Sequence, residues 1–198
     1  MWWWTQNPAP RVSVIATVGY LHPVQDLRPV LTGTTAGVRL EAAPQLGLAA
    51  QIRTPLPLDV RLGFSHAWPT MRVASTSEES STNRSSVTFA VADLVIHGPG
   101  LGAVTTHLLV GGGVKHYDFD QKALSGGAAV DYARDVTDPA LHLGLGAEFA
   151  FRRYGLLLEM SDYESAFDRK TSGPDGSSAA APQQHDLVIS AGVRIGIH

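Results

Sequence analysis

The chain has 198 residues, a net charge of −3 and a pI near 6.2. That fits one domain and shows no basic excess of the kind that binds nucleic acid. With no cysteine there is no disulfide and no thiolate metal site, and twenty glycines with only 17% charged residues suit a tightly filled β-barrel better than a helical protein. The longest weakly polar run, Gly98 to Val114, is broken by Pro99, glycines, Thr105, Thr106 and His107, so no segment reads as a transmembrane helix.

Residues 1–10 form an N-terminal tail, and residues 11–198 one barrel domain. The start, MWWWTQNPAP, has neither a basic region nor an apolar core of signal-peptide length, so an exported form of this sequence is a mature or trimmed one. Trp2, Trp3 and Trp4 suit a membrane-interface anchor and a disordered tail equally well.

Alternation of side chains predicts eight strands, over about 11–21, 34–53, 58–75, 85–97, 102–118, 140–152, 155–167 and 186–198. In the second, Leu40, Leu46, Leu48 and Ile52 share one parity, while Arg39, Glu41, Gln45 and Gln51 share the other. This reads as one long strand with a bulge at Pro44. The third sets Leu58, Val60, Leu62 and Phe64 against Asp59, Arg61, Gly63 and Ser65. In the fourth, Phe89, Val91, Asp93, Val95 and His97 share a parity, so a bulge is expected and its faces stay unassigned. The sixth sets Leu141, Leu143, Leu145, Ala147, Phe149 and Phe151 against His142, Gly144, Gly146, Glu148, Ala150 and Arg152. The last sets Leu187, Ile189, Ala191, Val193, Ile195 and Ile197 against small or polar residues.

Short connections fall at 54–57, 98–101 and 152–154, and longer ones at 22–33, 76–84, 120–139 and 168–184. Short and long ends therefore gather at opposite rims. The segments TSEESSTN and SGPDGSSAAAPQQ read as solvated loop.

These strands, together with VGGGVKHYDF, LLLEMSDYESAF and the terminal HDLVISAGVRIGIH, make the chain resemble the small eight-stranded outer-membrane β-barrels, the group of the OmpA transmembrane domain and the OmpW-like proteins. The resemblance implies an all-β, antiparallel, up-and-down transmembrane barrel with short periplasmic turns and long extracellular loops, both termini periplasmic, in a bacterial outer membrane. It implies a structural or narrow-pore protein without catalysis, whose partners are outer-membrane lipids, as a monomer without a cofactor; any partner of the loops is unspecified. Such proteins usually end in an aromatic residue, whereas this chain ends Gly196, Ile197, His198.

Period alone does not say which face is outside, because a lipocalin-like soluble barrel has the opposite polarity. The polar set here is mostly Gly, Ala and Ser with sparse charges. That suits a narrow interior, so the apolar set is placed against lipid.

Arg61, Glu148, Glu159 and Arg194 each lie about four residues in from the short-turn rim on the interior parity, and form a candidate lumen charge network. It reads as a plug, with a gate or constriction as the second reading. Arg39, Glu41, Lys115 and His107 form a candidate second polar layer nearer the loops. The eight histidines have no HxH or HxxxH spacing, so no metal is expected. A lipid acyl-chain enzyme remains an alternative, through His142, Ser161 and Glu159 or through His185, Ser190 and Glu148. An ordered triplet on the lipid-facing surface would favour it. The aromatic and acidic residues Tyr117, Asp118, Phe119, Asp120, Asp162, Tyr163, Glu164 and Phe167 are placed in an interfacial girdle at the long-loop rim.

Overall fold

The computed structural model of the protein describes residues 11–25, 27, 37–56, 58–74, 81–119, 136–151, 153–166, 171–172, 178–179 and 183–197. In chain order the strands are β1 (Val12–Pro23), β2 (Gly37–Leu40), β3 (Ala43–Arg53), β4 (Leu58–Ala67), β5 (Thr70–Ala74), β6 (Ser81–Leu101) and β7 (Val104–Phe119). After these come β8 (Val136–Phe151), β9 (Tyr154–Ala166), β10 (Thr171–Ser172), β11 (Ser178–Ala179) and β12 (Gln183–Ile197).

Eight of them close a barrel wall, in the order β1, β3, β4, β6, β7, β8, β9, β12, and every pairing is antiparallel. A walk through direct partners from Ser13 to Gln51, Arg61, Asp93, Gly111, His142, Tyr163 and Asp186 returns to β1 at Pro23, ten residues beyond its start. That stagger tilts the strands, as closure requires. It also means that residues at one height along the axis are not direct partners.

The wall is apolar on the outside. Leu143 is 50% exposed and Ile189 60%, whereas Lys115 is 0% and Arg61 5%. A water-soluble barrel would have these values reversed, so the lipocalin-like alternative fails and the faces stand as composition assigned them. Exposed aromatic residues mark both ends of the belt, with Tyr20 and Trp68 towards the long-loop rim and Phe149, Phe151 and Tyr154 towards the short-turn rim. Gly102, at φ 65°, makes the tight turn between β6 and β7, where a side chain would be strained.

Several local expectations are corrected. The second strand is not continuous across 34–53. It breaks at Glu41 and Ala42, and Pro44 sits unbulged in β3 opposite Tyr20. Beyond the break, parity reverses, because β2 leaves β1 and pairs with β5 instead. Leu40 then turns inward at 6% exposure and Arg39 turns outward. The third strand likewise breaks at Trp68 and Pro69 before β5. No bulge interrupts the fourth strand between Ser85 and His97; the register shifts only between His97 and Gly100. Phe89, Val91, Asp93 and Val95 are all interior. Ser81, Thr82, Asn83 and Arg84 belong to β6, and Gln183 and Gln184 to β12, rather than to loops. Tyr117, Phe119 and Tyr163 are buried in the lumen, so they are not part of an outer girdle. Trp2, Trp3, Trp4, Asp120 and Phe167 lie outside the described residues.

Candidate functional site: the barrel lumen

Near the short-turn rim the interior is floored by charge. Arg61 on β4 reaches across to Glu159 on β9, with Nη1 donating to Oε1 at 2.6 Å, and both side chains are buried. Nε2 of His107 on β7 meets the same oxygen at 2.7 Å. Because a carboxylate only accepts, that imidazole nitrogen carries the proton. Gln51, the direct partner of Arg61, accepts from its Nε and Nη2 at 3.2 and 3.0 Å, and donates from Nε2 to Asp59 at 2.8 Å. His97 Nε2 meets the same Asp59 oxygen at 2.9 Å. Each charge thus has partners on more than one strand, which is what a buried ion pair needs to offset its desolvation.

A second pair stands beside the first. Arg194 on β12 donates from Nε to Glu148 Oε1 at 2.7 Å, from Nη2 to the same oxygen, and from Nη1 to Ser13 Oγ at 3.2 Å. Gly155 makes room here, since a Cβ at that position would meet the Glu148 carboxylate, as Gly146 does for His107 and Glu159 in the first cluster.

Above the floor, small residues leave a cavity of about 60 Å³, lined by Thr17, Ser65, Ser161 and Ser190 with Arg61 and Glu159 below and Asp93, His142 and Tyr163 above. That is room for a few waters. Asp93 Oδ1 meets His142 Nδ1 at 2.8 Å, and Nε2 of His142 has no hydrogen-bond partner among the described residues. His142 stacks on Tyr163 at 4.3 Å, and Tyr163 packs on Phe89 at 4.2 Å. Higher still, Lys115 pairs with Asp186 and lies 4.6 Å from the Tyr117 ring centroid and 5.7 Å from that of Phe89. Leu21, Leu40, Ala67, Met71 and Val87 complete this ceiling.

Of the residues named from sequence, Arg61 meets Glu159, and Arg194 meets Glu148. Lys115 lies in the upper lumen, but His107 does not accompany it: the two are eight residues apart on β7, and the β7–β8 and β8–β9 registers set His107 and Glu159 on either side of Gly146. Arg39 and Glu41 lie outside the lumen on the β2–β5 ribbon, where Glu41 pairs with Arg72. Alternation alone does not single out Gln51, Asp59, Asp93, His97 or Asp186 as members of the network. For Gln51 and Asp59 the available signal is their shared parity with Arg61; Asp93 and His97 are hidden by the mixed face of β6. The two triplets considered for catalysis divide. His142, Ser161 and Glu159 line the cavity, whereas His185 pairs with Asp162 at 2.8 Å, away from Ser190 and Glu148.

No protein-family model matches the chain, and no curated protein matches it. Solved structures do. Neisserial surface protein A is similar over 96% of this chain and 100% of its own, with a TM-score of 0.60 and 12% identity. Ail, the attachment invasion locus protein of Yersinia pestis, is similar over 95% of this chain and 100% of its own (TM-score 0.50, 14% identity). A major outer membrane protein from Thermus thermophilus is similar over 93% of this chain and 99% of its own (TM-score 0.50, 12% identity). At such identities the likeness is one of fold, and the fold of this chain is that of the small eight-stranded outer-membrane β-barrels.

Proposed function

We propose that this chain is a bacterial outer-membrane protein of structural type, its lumen plugged by the Arg61–Glu159 and Arg194–Glu148 pairs below and the Lys115 layer above. The observation that carries the reading is the inversion of burial: an exposed apolar belt around a wall whose charges are inside. A bilayer tolerates no unpaired backbone, and a closed barrel leaves none. The continuity of the belt around the wall supports a monomer whose partners are the surrounding lipids.

Catalysis is not part of this reading. Asp93, His142 and Ser161 line the interior of the barrel rather than the lipid-facing surface, where an acyl chain would lie.

The test is refolding into phosphatidylcholine vesicles followed by planar-bilayer recording. A compact, heat-modifiable, membrane-inserted form with no steady ion current is expected. Recovery as a soluble monomer without detergent would overturn the membrane reading, and a steady current would overturn the closed lumen.

A further inference from the structure

Above the belt, β2, β5 and the start of β6 form a three-stranded ribbon that continues the wall. Its registers place Arg39 directly opposite Arg72, Arg72 opposite Thr82, and Arg84 opposite Thr70. In an antiparallel sheet, direct partners and residues two apart share a face. Arg39, Arg72 and Arg84 therefore share one face, and all three are exposed. The reverse face carries Leu40 and Met71, both buried in the ceiling, so the ribbon is anchored and its arginine face has a fixed direction.

Among the described residues that face carries little negative charge. Like charges directly opposite one another destabilise a sheet pair, and the Arg39–Arg72 pair has one described carboxylate to offset it, Glu41 on Arg72. Asp118, exposed on β7 opposite Ser86, bounds the group on one side. An anion between the guanidinium groups would relieve the repulsion, and the planar fork of arginine matches a phosphate through two parallel hydrogen bonds.

The position of the face selects the source of the phosphate. Trp68, 50% exposed, stands at the foot of β5 with His66 edge-on to it at 4.8 Å, where an amphipathic ring marks the headgroup level. Down β6 from Arg84 the same outward parity runs through Ser86 and Thr88 to Ala92, Leu94 and Ile96, which face lipid. A headgroup phosphate held by the arginines would lay its acyl chains along this stripe.

We propose that the Arg39, Arg72 and Arg84 face is a docking site for the phosphate groups of an outer-leaflet glycolipid. The inference rests on the membrane reading above. Its test is binding of diphosphoryl lipid A to the full chain, folded in a zwitterionic detergent. Parallel arms use the same lipid stripped of phosphate, inorganic pyrophosphate, and heparin. Replacing Arg39→Gln together with Arg84→Gln is expected to weaken lipid A binding about tenfold or more, as loss of charge-assisted hydrogen bonds implies. Removing the lipid phosphates should do the same to the unaltered protein. Arg153→Gln, near the opposite rim, should leave binding unchanged. Full-strength binding by the double variant would overturn the proposal, as would pyrophosphate or heparin binding as tightly as the lipid, which would identify a site for soluble anions. Folding is read separately from heat-modifiable migration. If the glutamine pair does not fold, Arg39→Lys with Arg84→Lys keeps the charge but loses the fork; weakened binding supports the proposal and unchanged binding overturns it. Insertion into phosphatidylcholine vesicles needs no phosphoglycolipid, so a protein that inserts but ignores lipid A refutes this inference alone.

Discussion

The two ends of the lumen are closed by different physics. The floor is a set of charges held by one another: Arg61, His107 and Glu159, with Arg194 and Glu148 beside them. The ceiling is a packed layer, Phe89 on Tyr163 and Tyr117 near Phe119, with buried Lys115 against Asp186 and the buried Asp138 directly opposite it on β8. Between them lies the small-residue cavity. A floor of paired charges can exchange partners or take up water when one member is lost, because the cavity adjoins it. The ceiling has no such relief, since Lys115 and Phe89 are both fully buried. The same loss of a partner should therefore cost more above than below.

The sharpest way to break this comparison is Lys115→Met, which removes the buried cation that Asp186 pairs with and that Asp138, itself buried, stands directly opposite. A loss of about 3–5 kcal/mol is expected in urea unfolding titrations of the vesicle-inserted protein. A loss no greater than that of the matching floor variant would remove the contrast. Next comes Glu159→Gln, which strands Arg61 and His107 beside the cavity. A smaller loss, about 2–3 kcal/mol, is expected with hydration of the floor. Planar-bilayer current should stay near zero, because the ceiling remains shut, and a conducting single variant would show that the floor alone closes the lumen.

Phe89→Leu tests the ceiling as packing rather than charge. It should cost about 1–2 kcal/mol by the same titration, since volume and ring contacts are lost without a stranded charge. The smallest effect is expected for His97→Gln at the half-exposed edge of the floor, within about 1 kcal/mol, because solvent screens its contact with Asp59. A larger loss there would mean that the floor is one cooperative network extending to the rim.

Much of this architecture is readable from the chain itself. A period of two in Leu141–Phe151 or Leu187–Ile197 specifies a strand and divides its residues between two faces, and the dearth of charge on the polar face says which one meets lipid. The same logic gives Arg61, Glu148, Glu159 and Arg194 one inner parity at similar depth from the short turns. Those properties are local, because side-chain alternation is a property of each strand alone.

Height around the barrel is not local. Registers between neighbouring strands decided that His107 stands with Glu159, both being partnered to Gly146, and that Asp93 faces His142 across Gly111; the ten-residue stagger that closes the wall is a sum over eight such registers. Tertiary pairing also decided the ribbon. Once β2 exchanged β1 for β5, its parity reversed, burying Leu40 and turning Arg39 outward. The mixed face of β6 was unreadable for a related reason: Phe89 sits inside where the upper lumen closes by packing and Val95 sits inside beside Asp59 of the floor, and whether an interior position is filled by an apolar side chain or by an ion pair depends on neighbours contributed by strands far away in sequence.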